Sequence, residues 1–180
     1  MINTEEIIKF WFLECNPKMW FKKKLDFDNL IKDKFSETID MCLNTSFEDI
    51  YISSETYLSY IIVLDQFTRN AFRNTFKSFV GDKKALKLCK NAIIYDFIKY
   101  QNIYYNSFFL MPLMHSENIL DHELGIPLFK KYTSDNTYKF AKKHKEIVHN
   151  FGRFPHRNII LNRKSTDAEI SFLKLPGSRF

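Results

Sequence analysis

The sequence predicts an all-α protein, a single domain of about six to eight antiparallel helices over residues 1–180. Three observations predict this class. Apolar residues recur every three to four positions through much of the chain, which is the spacing of an amphipathic helix. Alternation of apolar and polar residues, which would indicate strands, does not persist between turn residues. Only 4 glycines and 5 prolines occur in the chain, which favours long regular elements over a loop-rich β-protein.

Helix starts in the N-terminal half are marked by residues that cap helices. Thr4 is the expected cap of a first helix, which Pro17 ends. From Asp28 onwards, apolar residues again have helical spacing: Leu30, Ile31, Phe35, Ile39 and Cys42. Ser53 or Ser54 is expected to begin the most strongly patterned helix, with Tyr57, Leu58, Ile61, Ile62 and Leu64 on its apolar face.

The C-terminal half shows similar signals. Asp82 is expected to cap a further helix, and Pro112 interrupts the apolar run that follows it. An amphipathic segment then leads to Gly152, a residue typical of the end of a helix. Thr166 and Glu169 have the spacing of a capping box, which predicts a last short helix.

Charge and cysteine content restrict the class of partner. The formal net charge is +6, but the lysines are spread along the chain as on solvated helix faces, which argues against a nucleic-acid partner. Three cysteines lie far apart without a CxxC pair, as is typical of reduced cytosolic proteins. No secretory signal is recognisable, and no run approaches the roughly 18 apolar residues of a membrane span. We therefore expect a cytoplasmic protein without a membrane partner.

The segment from Asp65 to Asn70 places charged groups on an apolar helix face. At 100° per residue, Asp65 and Arg69 fall on the stripe that should be buried, and their i, i+4 spacing permits an ion pair. Arg73 extends this stripe if the helix continues past Thr68. Two interpretations are open: a buried brace between helices, or an arginine that turns toward an anionic ligand.

Histidines mark two further positions. His115 and Glu117 follow an apolar run and are predicted to lie at a helix junction. There they either satisfy local backbone groups, or form an acid–base couple or part of a metal shell. His144 lies near the middle of an apolar stripe and is expected to be buried. His149 falls among charged residues on the opposite face and is expected to be solvated.

The segment 150–163 carries the strongest signal for a site. It combines cations and amides with apolar residues that should be buried, and the candidates in it are Arg153, His156, Arg157, Asn158 and Arg163. Gly152 and Pro155 constrain its backbone, so the cations must find acceptors inside the protein or on a ligand. His144 lies about two helical turns before this loop, which suggests a shared pocket.

The candidate site residues, taken together, contain more cations than carboxylates. This balance suits a phosphate or carboxylate held by arginine side chains better than a bare divalent cation. The sequence contains no HExxH, GxxxxGK[ST], GxSxG or GxGxxG motif. We therefore predict no metal or cofactor site.

The motifs resemble those of a bacterial family called domain of unknown function nine-two-four, which is assigned to the tetratricopeptide-like superfamily. The resemblance rests on three segments in one order: Asp65–Asn70, Pro112–Glu117 and Gly152–Asn158. It implies helical-hairpin packing and a shared polar centre, and it implies no activity. Two positions depart from the family pattern: Thr68 stands where the family usually has proline, and Asn162 where it tends to have glycine.

Three functions are compatible with these residues. The first is binding of an anionic small molecule or an acidic peptide at a buried Arg/His/Asp centre. The second is a structural polar network within a protein-interaction scaffold. The third is a metal- or His/Glu-dependent hydrolase that uses His115, Glu117, His144 and His156.

Overall fold

The computed structural model describes residues 2–47 and 53–178, which contain helices and no strand. The predicted all-α class is therefore confirmed. The α-helices are α1 Thr4–Lys9, α2 Pro17–Trp20, α3 Leu25–Asn44, α4 Ser54–Ile61, α5 Thr68–Ala71, α6 Asp82–Ile94, α7 Ile103–His115, α8 Ile119–Tyr132, α9 Asp135–Phe151 and α10 Asp167–Phe172. Segments of π-helix span Phe10–Glu14 and Ile62–Phe67, and 3₁₀ turns span Phe76–Phe79, Phe97–Tyr100 and Pro155–Arg157.

The first helix begins at Thr4, so its cap is one residue earlier than predicted. Asn3, in an extended conformation, accepts a hydrogen bond from the Glu6 backbone N–H at 3.1 Å. Thr4 is already helical, and its hydroxyl lies 3.4 Å from that of Thr56. The prediction that Thr4 caps this helix was wrong, because the asparagine before it supplies the acceptor. Ser53 caps α4 as predicted, since its hydroxyl accepts from the Thr56 N–H.

The cap position before α6 is occupied by Gly81, not by the predicted Asp82. An added Cβ on Gly81 would lie 2.1 Å from the Leu64 carbonyl oxygen, so the start of α6 and the segment around Leu64 approach each other closely. Asp82 is consequently the first helical residue. Its carboxylate is free to bind side chains across this contact.

A π-helical segment separates α4 from α5. All six residues of Ile62–Phe67 are buried. The Thr68 backbone N–H donates to the Val63 carbonyl, and its hydroxyl donates to the Leu64 carbonyl at 2.8 Å. A proline at this position would lack the backbone donor. Thr68 therefore lets the helical path continue through α5, which ends at Ala71 before it reaches Arg73.

Aromatic side chains join the N-terminal helices to α7. The Trp11 ring lies 5.5 Å from the rings of both Phe67 and Phe108, measured between centroids. Trp20 folds back and donates its indole N–H to the Trp11 carbonyl at 2.9 Å. Residues Asn106 to Met114 of α7 are all buried, including Pro112, which α7 contains within its last turns. The core thus surrounds α7.

The end of α9 and the start of α10 have the capping residues that the sequence predicted. Gly152 has φ of 68° and ends α9, and its N–H donates to the Val148 carbonyl. Thr166 and Glu169 form the predicted capping box at the start of α10. Helices α7, α8 and α9 contact one another in sequence order. A tetratricopeptide-like hairpin arrangement remains a prediction. Among the described helices, none has both the length and the apolar character of a membrane span.

We predict that Gly81→Ala destabilises the protein by about 2 kcal/mol, because the new methyl group would overlap the Leu64 carbonyl and push α6 outward. Urea unfolding monitored by circular dichroism measures the loss. Lys83→Ala, an exposed change two residues along in α6, should alter the free energy of unfolding by less than about 0.5 kcal/mol. Equal stability of Gly81→Ala and the native protein would contradict the close approach.

Candidate functional site

Asp65 is the central acceptor of a buried polar cluster. Its side chain is 1% exposed. The carboxylate accepts hydrogen bonds from the Gln66 amide and from His115 Nδ1, the latter at 2.8 Å, and lies 3.0 Å from Arg69 Nη1. Burial opposes ionisation, but Arg69 and His115 outweigh it and hold the pKa of Asp65 well below its usual range. Asp65 is therefore an anion within the core.

Arg69 connects Asp65 to the start of α6. Its Nη1 lies 2.9 Å from one Asp82 oxygen, and its Nη2 donates to the other at 3.1 Å. The predicted Asp65–Arg69 pair is present, with Asp82 as an additional partner. Although burial opposes the charge, the two carboxylates raise the pKa of Arg69. Asp82 was predicted only as a helix cap, so its role here was missed.

Arg157 enters the same cluster from the C-terminal loop. Its guanidinium lies over the rings of Phe79 and Phe154, at 4.6 and 4.7 Å from their centroids. Nη2 donates to the His115 carbonyl at 3.0 Å, whereas the contact from Nη1 to Asp82 is 3.4 Å. The buried Nε has no acceptor among the described residues. Burial and the neighbouring Arg69 lower the pKa of Arg157 to about 10.

We call Asp65, Arg69, Asp82, His115 and Arg157 the arginine centre. The π-helix and α5 supply two of these residues, and α6, the end of α7 and the C-terminal 3₁₀ turn supply one each. The centre reaches the protein surface at one edge, since the side chains of Arg69, Asp82 and His115 are 18%, 22% and 16% exposed. Distant segments of the chain therefore converge on one partly accessible cluster.

Arg153 binds a different carboxylate. Its Nε and Nη2 donate to the two oxygens of Glu169, at 2.7 and 2.9 Å. Nη2 also donates to the Lys164 carbonyl. The hydrogen bonds from Arg153 lower the pKa of Glu169 to about 2. Glu169 thus serves both the capping box of α10 and this ion pair.

Glu117 and Arg163 form a second bidentate ion pair. Arg163 Nη1 and Nη2 donate to the two Glu117 oxygens at 2.6 and 3.0 Å. The Phe154 N–H also donates to Glu117. Asn158 joins both pairs, because its amide donates to Glu169 and its oxygen accepts from Arg163. These bonds fasten the loop that follows α9 to the junction between α7 and α8.

Arg73 lies apart from the arginine centre. It donates through Nε and Nη2 to the two oxygens of Asp28 near the start of α3, and Asn70 donates to the same carboxylate. The expectation that Arg73 extends the Asp65 stripe was wrong, because α5 ends at Ala71 and the chain then turns.

Three histidines surround the Phe154 ring: the centroids of His122, His144 and His156 lie 6.2, 5.6 and 5.6 Å from its own. His144 is buried as predicted, and His149 is exposed as predicted. Burial and nearby His115 lower the pKa of His144 to about 3, and burial and Arg157 do the same for His156. His122, which the sequence did not single out, is also buried, and its Nε2 lies 2.8 Å from the Ser116 carbonyl oxygen.

The structure corrects the predicted excess of positive charge. Each of the candidate arginines contacts a carboxylate, and three of these carboxylates were not among the candidates: Asp28, Asp82 and Glu169. His115 and Glu117 lie at the helix junction as predicted, but they do not bind each other. His115 pairs with Asp65, and Glu117 pairs with Arg163.

Two surface depressions lie outside the arginine centre. One of about 480 Å³ is lined by Glu117, Asn118, Ile119, Val148, His149 and Gly152. The other, of about 440 Å³, lies on the lysine-rich outer face of α9. Across the part of the chain that the structure describes, no three His, Cys, Asp or Glu side chains converge as metal ligands would.

We predict that acid destabilises the protein before its carboxylates titrate. His144 and His156 are neutral in the folded state down to about pH 3, but in the unfolded chain they bind protons below about pH 6.5. The unfolded state then binds more protons, so the free energy of unfolding should fall by about 2 kcal/mol for each histidine between pH 7 and pH 5. Urea unfolding between pH 7 and pH 5 measures this decrease.

The variant His144→Gln removes one titrating group. The pH dependence of its free energy of unfolding should therefore lack the contribution of that histidine. A free energy of unfolding that is constant from pH 7 to pH 5 would contradict the buried, neutral state of these rings.

Comparison with known proteins identifies the family. The model of a family described as bacterial protein of unknown function (DUF924) matches residues 7–177. A solved structure, that of the protein of unknown function ATU0120 from Agrobacterium tumefaciens, is 30% identical, with a TM-score of 0.83 over 95% of this chain and 96% of that one. None of the curated proteins matches the chain. The chain belongs to the DUF924 family of bacterial proteins.

Proposed function

We propose that the protein binds an anionic small molecule at the arginine centre. The observation that carries this proposal is the incomplete pairing of Arg157. Its buried guanidinium donates to the His115 carbonyl, but the one carboxylate that it contacts among the described residues is Asp82, at 3.4 Å, and Arg69 already binds that carboxylate. Its Nε has no acceptor among the described residues. A buried cation with weak pairing is unfavourable, and a bound oxyanion would relieve this.

The chemistry of the centre suits a phosphate or a carboxylate. A guanidinium presents N–H donors in a plane that matches the oxygens of these groups, and the Phe79 and Phe154 rings hold the guanidinium of Arg157 in one orientation. The neighbouring Arg69 adds a second positive charge. The carboxylate of an acidic peptide has the same chemistry and would be recognised in the same way.

The arginine centre is partly exposed to solvent through three of its side chains. Arg69, Asp82 and His115 each keep about a fifth of their side-chain surface exposed. Arg157 contacts the Asp82 carboxylate and the His115 backbone carbonyl. An anion that arrives from solvent would displace the long Asp82 contact rather than a short ion pair. Asp82 would keep Arg69 as its partner.

A structural network is the second candidate function, and the bidentate arginine–glutamate ion pairs favour it. Arg153 with Glu169 and Arg163 with Glu117 use both oxygens of each carboxylate, so these arginines have little capacity left for a ligand. In this interpretation the polar residues hold the C-terminal loop against α7 and α8. The two candidates differ in the role of Arg157 alone.

We predict that 10 mM inorganic phosphate raises the Tm of the native protein by about 3 °C relative to chloride at equal ionic strength, if its Kd is near 1 mM. The reason is that phosphate would bind Arg157 in the folded state only. Arg157→Gln should lose this shift. Differential scanning fluorimetry over a phosphate titration measures both.

Arg73→Gln provides the matched control, since Arg73 pairs with Asp28 outside the arginine centre. It should keep the full, saturable phosphate shift, which separates site binding from the general stabilisation that phosphate gives as a solute. An equal shift in the native protein and in Arg157→Gln would contradict binding at this site. A lower Tm of Arg157→Gln, with no phosphate response in the native protein, would favour the structural role.

A further inference from the structure

His115 and Asp65 form a pair that fixes the position of a proton. Asp65 is ionised and can only accept hydrogen bonds, so His115 Nδ1, at 2.8 Å from its oxygen, must be the donor. In a neutral imidazole the proton on Nδ1 leaves the lone pair on Nε2. The geometry therefore selects one tautomer of His115.

The second ring nitrogen, Nε2, is the one that Asp65 does not contact. Within residues 2–47 and 53–178, His115 Nε2 has no hydrogen-bond partner, and the side chain is 16% exposed. This contrasts with His122, whose Nε2 is bonded to a backbone carbonyl. A lone pair on a fixed, partly exposed ring is what a proton-accepting group requires.

The surroundings of His115 keep the ring neutral. Burial is the largest effect that lowers its pKa, and the positive charges of Arg69 and Arg157 act in the same direction, whereas Asp65 opposes them. The other titratable groups that face it are His122, His144 and His156, all of which are held neutral by burial. Near neutral pH the ring is therefore ready to accept a proton.

We propose that His115 is the proton acceptor of a catalytic site, with Asp65 as its positioning residue, for an anionic substrate bound at Arg157. This rests on the proposed anion-binding function and adds a reaction to it. Arg157 donates to the backbone carbonyl of His115 itself, so an anion on Arg157 lies next to the residue that carries the base. The substrate class is an anionic compound that reacts through a hydroxyl group or an attacking water.

The chemical step is a proton transfer. The O–H bond of the hydroxyl or water breaks, its electron pair stays on the oxygen, and the proton forms a bond with the Nε2 lone pair. The imidazolium that results is stabilised by the Asp65 carboxylate on its other nitrogen. The positive charges of Arg69 and Arg157 stabilise the negative charge that develops on the oxygen.

Diethyl pyrocarbonate tests this assignment, because it acylates the imidazole nitrogen that carries an available lone pair. The native protein is treated between pH 5.5 and pH 7.5, and the label on each histidine is quantified by peptide mass mapping. Exposed His149 serves as an internal reference for reagent loss. We expect His115 to be labelled within tenfold of the rate of His149, with a midpoint below the ordinary histidine pKa of about 6.5.

Asp65→Asn removes the charge that supports the base. In this variant the pH midpoint of His115 labelling should move lower, because Asp65 raises the pKa of the ring. If the variant does not fold, the native protein alone decides. Native His115 that is labelled more than about 100-fold more slowly than His149 has no available lone pair, which would overturn the proposal, since a general base must be reachable by its proton donor.

Phosphate separates this inference from the proposed function. Labelling of His115 that slows in 10 mM phosphate, but not in chloride, supports a base beside the anion site. Unreactive His115 in a protein that phosphate stabilises would overturn the base and leave the binding function. A third outcome is that His115 is reactive, phosphate does not slow its labelling, and phosphate does not raise the Tm of the protein. This outcome would overturn both the anion site and the catalytic assignment that rests on it.

Discussion

The buried Asp65 carboxylate is the constraint on which the rest of the polar architecture depends. An anion with 1% exposure is tolerated in a protein core only if donors surround it. The π-helical turn places Asp65 and Gln66 side by side inside the protein, and α5 brings Arg69 to the same carboxylate. The end of α7 then supplies His115. Arg69 and His115 thus stabilise the negative charge of Asp65, and Asp82 stabilises the positive charge of Arg69.

The C-terminal loop adds a further cation, Arg157, which has a long contact to a carboxylate and no short ion pair among the described residues. Arg69 requires a second carboxylate, which Asp82 supplies from the start of α6 because Gly81 allows that helix to approach Leu64. Arg157 then shares Asp82 at a longer distance. The remaining loop arginines have carboxylates of their own. This difference between Arg157 and the other loop arginines is the reason that we place the proposed ligand site at Arg157.

The sequence predicts the composition of the site better than its pairing. Helical periodicity identifies Asp65 and His144 as buried, because burial of a helix face is a local property. Pairing across the fold has no such signal: Asp28 and Asp82 sit at helix starts, where an acidic residue is ordinary. The π-turn was also not predicted, since it depends on one extra residue per turn that periodicity over a short segment does not resolve. Glu169 was recognised as a capping residue, but its bond to Arg153 depends on how the loop folds back.

The most direct measurement of the central claim is the stability of Asp65→Asn, which keeps the size of the side chain and removes its charge. If the carboxylate compensates Arg69 and orients His115, the variant should lose about 3–5 kcal/mol in urea unfolding at pH 7, the loss expected when one member of a buried pair is removed. Asp40→Asn, an exposed change in α3, should alter stability by less than about 0.5 kcal/mol. Asp65→Asn with the stability of the native protein would contradict the account.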